Sequence, residues 1–221
     1  MNESAIQREV NALLKLLDNL KYVNPKTDLV REFIEKHYND VKKFLGCDIP
    51  KFSVIQKSPY SSSYYECNML APELSHVYLD MASNEAMYFD SDDFKDRYLS
   101  DPFMYMKLTD QIKYMQNIIK TFEMSFEEFS LFIFVHECQH HKQFLDAGKP
   151  NMIMSIDGKE WFRGIAYNYH QQVPIEIDAN RVAMNFIGKY KELDSSSLSS
   201  SVERCIDIAK VIGAAPIEST I

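Results

Sequence analysis

The sequence has little of what a disulfide framework or a cysteine metal site requires. Its four cysteines, Cys47, Cys67, Cys138 and Cys205, are widely spaced and form no CxxC pair. Closely spaced pairs are the usual signature of both kinds of site. The cysteines therefore predict free, buried thiols of the kind found in a reducing compartment.

Long hydrophobic runs are also lacking. None approaches the roughly 20 apolar residues that a membrane-spanning helix needs. Charged residues interrupt the apolar positions of the N-terminal stretch MNESAIQREVNALLKLLDNL, so it contains no signal-peptide core. We expect a cytoplasmic protein that does not bind membranes.

Positive charge is scarce as well. The chain has 32 acidic against 24 basic residues, a net charge of -8, and no dense run of Lys and Arg. A surface for nucleic-acid phosphates is therefore not expected. Apolar residues make up 46% of the 221 positions, which is enough for one domain with a sizeable core.

Apolar spacing predicts the secondary structure of the N-terminal half. Residues 1–46 read as a helical hairpin: one helix over Ile6–Leu20, and a second from Thr27 or Asp28 to its end at Gly46. Short strands are predicted at Phe52–Ile55, Tyr64–Cys67 and His76–Leu79, and a helix at Leu108–Phe122. This pattern predicts a single α+β domain with a small, mainly antiparallel sheet packed on a helical bundle.

The C-terminal part is predicted to contain two helices separated by a linker. Pro174 is well placed as the first residue of a helix that runs to about Tyr190. Serine occupies six of the seven positions from Ser195 to Ser201, which predicts a flexible linker. A last helix is expected over Val202–Ile212.

A helix with marked ends carries the most informative motif. Ser125 and Glu128 form a capping box, and the helix they open runs through the apolar stretch Leu131–Val135 towards Gly148. An apolar stretch of this kind predicts a buried helix. Its middle reads His136-Glu137-Cys138-Gln139-His140.

Two histidines one helical turn apart are suited to binding a metal ion. His136 and His140 project from the same face of a helix, which places two nitrogen ligands on one tetrahedral zinc ion. Glu137 lies beside the first ligand, where it can take a proton from a metal-bound water. Catalytic zinc also needs a third protein ligand.

Together with a downstream segment, this motif resembles a known family. The pair FVHECQHHKQF and PIEIDANRVAM is similar to the glutamate zincins, metallopeptidases in which HExxH is followed by a helix bearing ExxA(D/N). It is particularly similar to small bacterial and phage-encoded zincins and to ImmA/IrrE-type peptidases. The resemblance covers about residues 125–190. It implies a zincin-like fold, Glu176 as the third zinc ligand, Ala179 as a site of close helix packing, and Asn180 as the partner of a ligand histidine.

Helical geometry agrees with these implied roles. Glu176 and Asn180 are four residues apart and face the same way. A ligand histidine needs an acceptor on its second nitrogen to fix its tautomer, and the Asn180 amide oxygen can accept that bond.

Three other residues are alternatives for the third ligand. Asp146 has the spacing of the metzincin ligand, but Gln143 stands where that arrangement needs glycine. Asp178 points about 200° away from Glu176 around the helix. Cys67 has the place of the upstream cysteine ligand of peptide deformylases, without their glycine-rich context.

The remaining parts of a zincin site are predicted by position only. Tyr167, Tyr169 and His170 lie between the two metal helices and are candidates for stabilising the oxyanion. His141 is one residue past the ligand face and is expected either at the rim of the site or behind the metal ligands. The segment around Ser75–Met81 is the candidate edge strand that would pair with substrate.

These observations predict an enzyme that binds one Zn²⁺ per chain and hydrolyses peptide bonds, with protein or peptide substrates. Narrow specificity is expected of an intracellular protein of this size. Two alternatives stay open: a zincin-fold binding or regulatory protein whose metal is structural or lost, and a zinc hydrolase that does not act on peptides. Neither the substrate nor the oligomeric state is predicted.

Overall fold

A computed structural model of the chain describes residues 25–56, 63–68, 70–89, 102–147 and 174–211. These residues form six α-helices, one short 3-10 turn and a three-stranded sheet. The elements in chain order are α1 (Pro25–Leu45), β1 (Lys51–Ile55), β2 (Tyr64–Glu66), β3 (His76–Asp80), α2 (Met81–Phe89), α3 (Pro102–Thr121), α4 (Phe126–Ala147), α5 (Pro174–Tyr190) and α6 (Ser195–Val211). The predicted α+β class is confirmed, and the described residues are mostly helical.

The end of α1 lies where the sequence predicts it, whereas two other helix boundaries differ from the prediction. α1 is followed by Gly46 at a φ of 70°, and the Gly46 N–H donates to the Lys42 carbonyl at 3.0 Å. This left-handed residue closes the helix as predicted, since glycine adopts that conformation without strain. α3 begins at Pro102 rather than at Leu108, and α2 was not predicted. The predicted first helix of the hairpin, Ile6–Leu20, lies outside the described residues.

The sheet is mixed rather than mainly antiparallel. Its strand order is β1–β3–β2, with β1 parallel and β2 antiparallel to β3. The expectation that Ser75–Met81 forms an edge strand is therefore wrong, because β3 has a hydrogen-bonded neighbour on each side. Among the described strands, the outer edges belong to β1 and β2.

α4 is the central helix of the fold. Every residue from 129 to 141 is buried, because the helix packs against α1, α2, α5 and the sheet. Phe134 packs against the rings of Tyr38 and Phe52, with centroid distances of 6.2 and 5.1 Å. A helix that is apolar on all sides is suited to this position. It carries the segment His136–His140 into the interior.

The predicted capping box of α4 is confirmed. The Glu128 backbone N–H donates to Ser125 Oγ at 3.2 Å, and the Ser125 N–H donates to Glu128 Oε2 at 2.8 Å. These two bonds satisfy donors that a helix start leaves unpaired.

The serine-rich stretch Ser195–Ser201 is helical and not a linker. It forms the first part of α6, where the Asp194 carboxylate accepts from the backbone N–H groups of Ser196 and Ser197 at 3.1 and 3.0 Å. The hydrogen bonds from these serines hold the pKa of Asp194 well below its usual range. Leu198 is buried and begins the apolar stripe of α6, so packing outweighs the modest helix propensity of serine.

All four cysteines are free, as predicted, but only Cys138 and Cys205 are buried, whereas Cys47 and Cys67 are partly exposed. No helix among the described residues has the length and apolar character to cross a membrane.

Candidate metal centre

α4 contributes two histidines and a glutamate to the candidate site. His136, Glu137 and His140 are each about 8% exposed. The two imidazoles project from the same face of α4, with their centroids 4.7 Å apart and their Nε2 atoms 3.1 Å apart. The one-turn spacing of the motif therefore brings both Nε2 atoms to one point inside the protein.

α5 brings a carboxylate to the same point. The distance from Glu176 Oε2 to His136 Nε2 is 3.2 Å, and that from Glu176 Oε1 to His140 Nε2 is 3.4 Å. Glu176 is 7% exposed. Ala179 and Ala183 are fully buried between the helices, and their small side chains are compatible with the close approach of α5 to α4. His136, His140 and Glu176 form a buried group that could hold a metal ion.

Each of the two histidines has a carboxamide oxygen beside its Nδ1 atom. His136 Nδ1 is 3.0 Å from Asn180 Oδ1, and His140 Nδ1 is 2.9 Å from Gln143 Oε1. An amide oxygen can only accept a hydrogen bond, so both Nδ1 atoms carry the proton. When the rings are neutral, both Nε2 atoms present lone pairs to the centre of the site.

The donor set fits a zinc ion. Two lone pairs and a carboxylate repel one another at these distances unless a proton or a cation lies between them. Ligands at the usual Zn–N and Zn–O distances occupy corners of a tetrahedron with edges of about 3.3 Å. The three separations of 3.1, 3.2 and 3.4 Å agree with that edge. Two imidazoles and a carboxylate are also a common ligand set of catalytic zinc.

In the metal-free chain a proton takes the place of a cation. Burial by itself lowers the pKa of His140, but the Glu176 carboxylate, through its hydrogen bond and its charge, outweighs this and raises the pKa to about 9. A metal ion bound by Nε2 would displace that proton.

Glu137 is buried beside the group. Burial raises the pKa of this carboxyl, the two imidazoles oppose the shift, and the Glu176 carboxylate adds to it. The backbone N–H of Tyr65, in β2, acts on the pKa of Glu137 in the same direction as the imidazoles and favours the charged carboxylate. β2 lies beside the helix that carries Glu137.

The other residues considered as third ligands lie apart from the group. Asp146 is exposed and pairs with Lys142 at 2.6 Å. Asp178 accepts hydrogen bonds from Gln139 and Gln143. Cys67 interacts with the Tyr65 hydroxyl. None of them belongs to the cluster of possible ligands among the described residues.

His141 is buried rather than at an open rim. It is 4% exposed, and its Nδ1 lies 2.9 Å from the Tyr65 hydroxyl, which in turn lies 3.1 Å from Ser75 Oγ. These contacts connect α4 to β2. The candidate oxyanion residues Tyr167, Tyr169 and His170 lie outside the described residues.

Two residues of the site were not found from the sequence. Gln143 served only as an argument against Asp146, because the metzincin arrangement needs glycine at that position. Its i,i+3 spacing from His140 also indicates a side-chain contact. Tyr65 contributes a backbone N–H, which no side-chain motif predicts.

Comparisons with protein-family models, with curated proteins and with solved structures find no match to this chain. The resemblance to glutamate zincins stays a prediction that rests on the two motifs.

Proposed function

We propose that this protein is a zinc-dependent peptidase that binds one zinc ion per chain and cleaves a narrow set of protein or peptide substrates. The observation that carries the proposal is the buried convergence of His136, His140 and Glu176 with Glu137 beside them. A structural zinc site would need a fourth protein ligand in place of a reacting water. It would have no use for a buried carboxylate at the position of Glu137.

The roles of the residues follow from their positions. His136 and His140 would bind the ion through Nε2, and Glu176 through its carboxylate. A zinc ion held there would act as a Lewis acid, lowering the pKa of a reacting water to about 7 and polarising a substrate carbonyl. Glu137 would accept the proton of the attacking water and then give it to the leaving amine, as a general base and general acid.

Substrate pairing is best placed on β2. One edge of β2 pairs with β3, its other edge is an outer edge of the described sheet, and the Tyr65 backbone N–H acts on Glu137. A peptide that added a strand at this outer edge would pass beside the catalytic carboxylate. The contact between His141 and the Tyr65 hydroxyl would hold β2 at a fixed distance from α4.

The proposal is tested by comparing the wild type with Glu137→Gln. Glutamine has the same shape but cannot take a proton, so the variant should keep one zinc per chain and its circular dichroism spectrum. Its cleavage of a proteome-derived peptide library should fall by about 10²–10⁴-fold, the usual contribution of a general base. Glu127→Gln, in the first turn of the same helix, is the matched control and should leave cleavage unchanged.

The outcomes separate the proposal from its alternatives. Zinc binding without any cleavage by the wild type would indicate a binding protein with a structural metal. Hydrolysis of another bond type, lost in Glu137→Gln, would indicate a zinc hydrolase that does not act on peptides. Equal turnover of the wild type and Glu137→Gln would remove Glu137 from the mechanism.

A further inference from the structure

The hydrogen bonds of Gln143 extend from one candidate ligand to the segment that carries another. Its Oε1 lies 2.9 Å from His140 Nδ1. Its Nε2 donates to the Ile175 carbonyl at 2.9 Å and to Asp178 Oδ2 at 2.8 Å. Ile175 and Asp178 flank Glu176 along α5. We propose that Gln143 is a positioning residue that couples His140 to Glu176; this inference rests on the proposed binding of zinc.

The orientation of the Gln143 amide is fixed by its partners. The Ile175 carbonyl and the Asp178 carboxylate can only accept hydrogen bonds, so the NH₂ group must face α5. The amide oxygen therefore faces His140 and accepts its Nδ1–H. An amide turned the other way would place its oxygen against two acceptors and its NH₂ group against an N–H.

This orientation determines the chemistry of His140. With the proton held on Nδ1, the neutral ring keeps its lone pair on Nε2, the nitrogen that faces Glu176. The hydrogen bond also sets the rotation of the ring and increases its basicity as a ligand. Asn180, on α5, accepts the corresponding hydrogen bond from His136 on α4. Gln143 differs because it belongs to the same helix as His140.

The two bonds to α5 also set the position of the third ligand. Both partners of the Gln143 NH₂ group lie within two residues of Glu176. A change at residue 143 would therefore disturb the ring of the second ligand and the distance to the third together. Ligand spacing close to 3.3 Å is what a tetrahedral ion requires.

The neighbouring residue Gln139 provides a matched comparison. Its Nε2 donates to the same Asp178 Oδ2, also at 2.8 Å, but its hydrogen bonds reach no candidate ligand. Among the described residues its Oε1 has no hydrogen-bond partner. If these glutamines serve only to join α4 to α5, removing either one should have the same effect. If Gln143 positions the ligands, only its removal should weaken metal binding.

The test compares Gln143→Met with Gln139→Met in the full-length protein. Methionine keeps the length and flexibility of glutamine but cannot form the same hydrogen bonds. Zinc affinity is measured by competition with a chromophoric chelator. Gln143→Met should bind zinc about 10–100-fold more weakly than the wild type, the usual loss when the partner of a ligand histidine is removed. Gln139→Met should match the wild type within about threefold, because the acceptors on His136 and His140 stay in place.

A second measurement reports on the hydrogen bond itself. In nitrogen-15 histidine spectra of the zinc-loaded chain, the His140 Nδ1–H should exchange slowly with water in the wild type and in Gln139→Met. It should exchange faster in Gln143→Met, because methionine offers no oxygen to accept the hydrogen bond from Nδ1. Equal affinities and equal exchange in both variants would overturn the proposal.

Two further variants apply if Gln143→Met does not fold. Asp178→Asn keeps an oxygen for the Gln143 NH₂ group and should retain affinity. Asp178→Leu should lose part of it, because only the Ile175 carbonyl would still hold the amide. Equal affinity of these two variants would overturn the inference. Zinc binding without peptide cleavage would contradict the proposed function while leaving the test of Gln143 intact, since its readout is affinity.

Discussion

The hydrogen bond between Asn180 and His136 allows a quantitative prediction. Asn180 is 2% exposed, and its Oδ1 is 3.0 Å from His136 Nδ1. Replacement by leucine, which is of similar size, removes the acceptor and leaves a buried N–H without its partner. Such a loss costs about 1–3 kcal/mol. If the cost falls on the metal-bound form, Asn180→Leu should bind zinc roughly 5- to 150-fold more weakly than the wild type.

The conservative substitution should have the opposite outcome. Aspartate offers an oxygen at the same position, and the bond from His136 becomes charge-assisted, so Asn180→Asp should bind zinc at least as tightly as the wild type. Asn185→Leu is the control, because Asn185 lies on the same helix but donates to the Arg181 carbonyl instead. Chelator competition at constant pH measures all three variants.

One result would refute this reasoning. If Asn180→Leu and Asn180→Asp both bind zinc with the wild-type affinity, the bond to His136 has no part in metal binding. The assignment of Glu176 would also weaken, because Asn180 and Glu176 were inferred from the same face of α5.

Two further predictions concern the third ligand and the start of α4. Glu176→Ala should reduce the zinc content far below one ion per chain by elemental analysis, and full retention of zinc and activity would show that another group is the third ligand. Ser125→Ala removes the oxygen that accepts from the Glu128 N–H and should lower the free energy of unfolding of the metal-free chain by about 1 kcal/mol. A denaturation midpoint unchanged from the wild type would contradict that role for Ser125.

Features that depend on one or two helical turns were predicted well. Ser125 and Glu128 are three residues apart, and a capping box is complete within that distance. The pairs His136 and His140, and Glu176 and Asn180, are each one turn apart, so helical periodicity alone places each pair on one face. The start of α5 at Pro174 follows from the fixed φ of proline.

Predictions based on composition were less successful. The serine content of Ser195–Ser201 suggested a linker, whereas the cap from Asp194 and the burial of Leu198 make the segment helical. The Ser125 and Glu128 pair precedes an apolar run of good helix length, so the sequence predicts the helix that it caps. Asp194 precedes a run of serines, whose modest helix propensity hides the cap.

The arrangement of the strands was not predictable from the strands themselves. Alternating apolar residues indicate a strand but not its neighbours, so the parallel pairing of β1 with β3 and the central place of β3 could not be read from the sequence. Strand order depends on how the connecting segments and the helices pack around the sheet.

The sequence by itself determined which residues can bind a metal ion and which face of each helix they occupy, because these properties are local. Only the tertiary structure brings α5 against α4, with Glu176 3.2 Å from His136 and Gln143 bonded on both sides of Glu176. It also brings β2, with the backbone N–H of Tyr65, beside the helix that carries Glu137. Those distances join residues far apart in the chain, and they depend on burial and close packing of the whole core rather than on any short pattern.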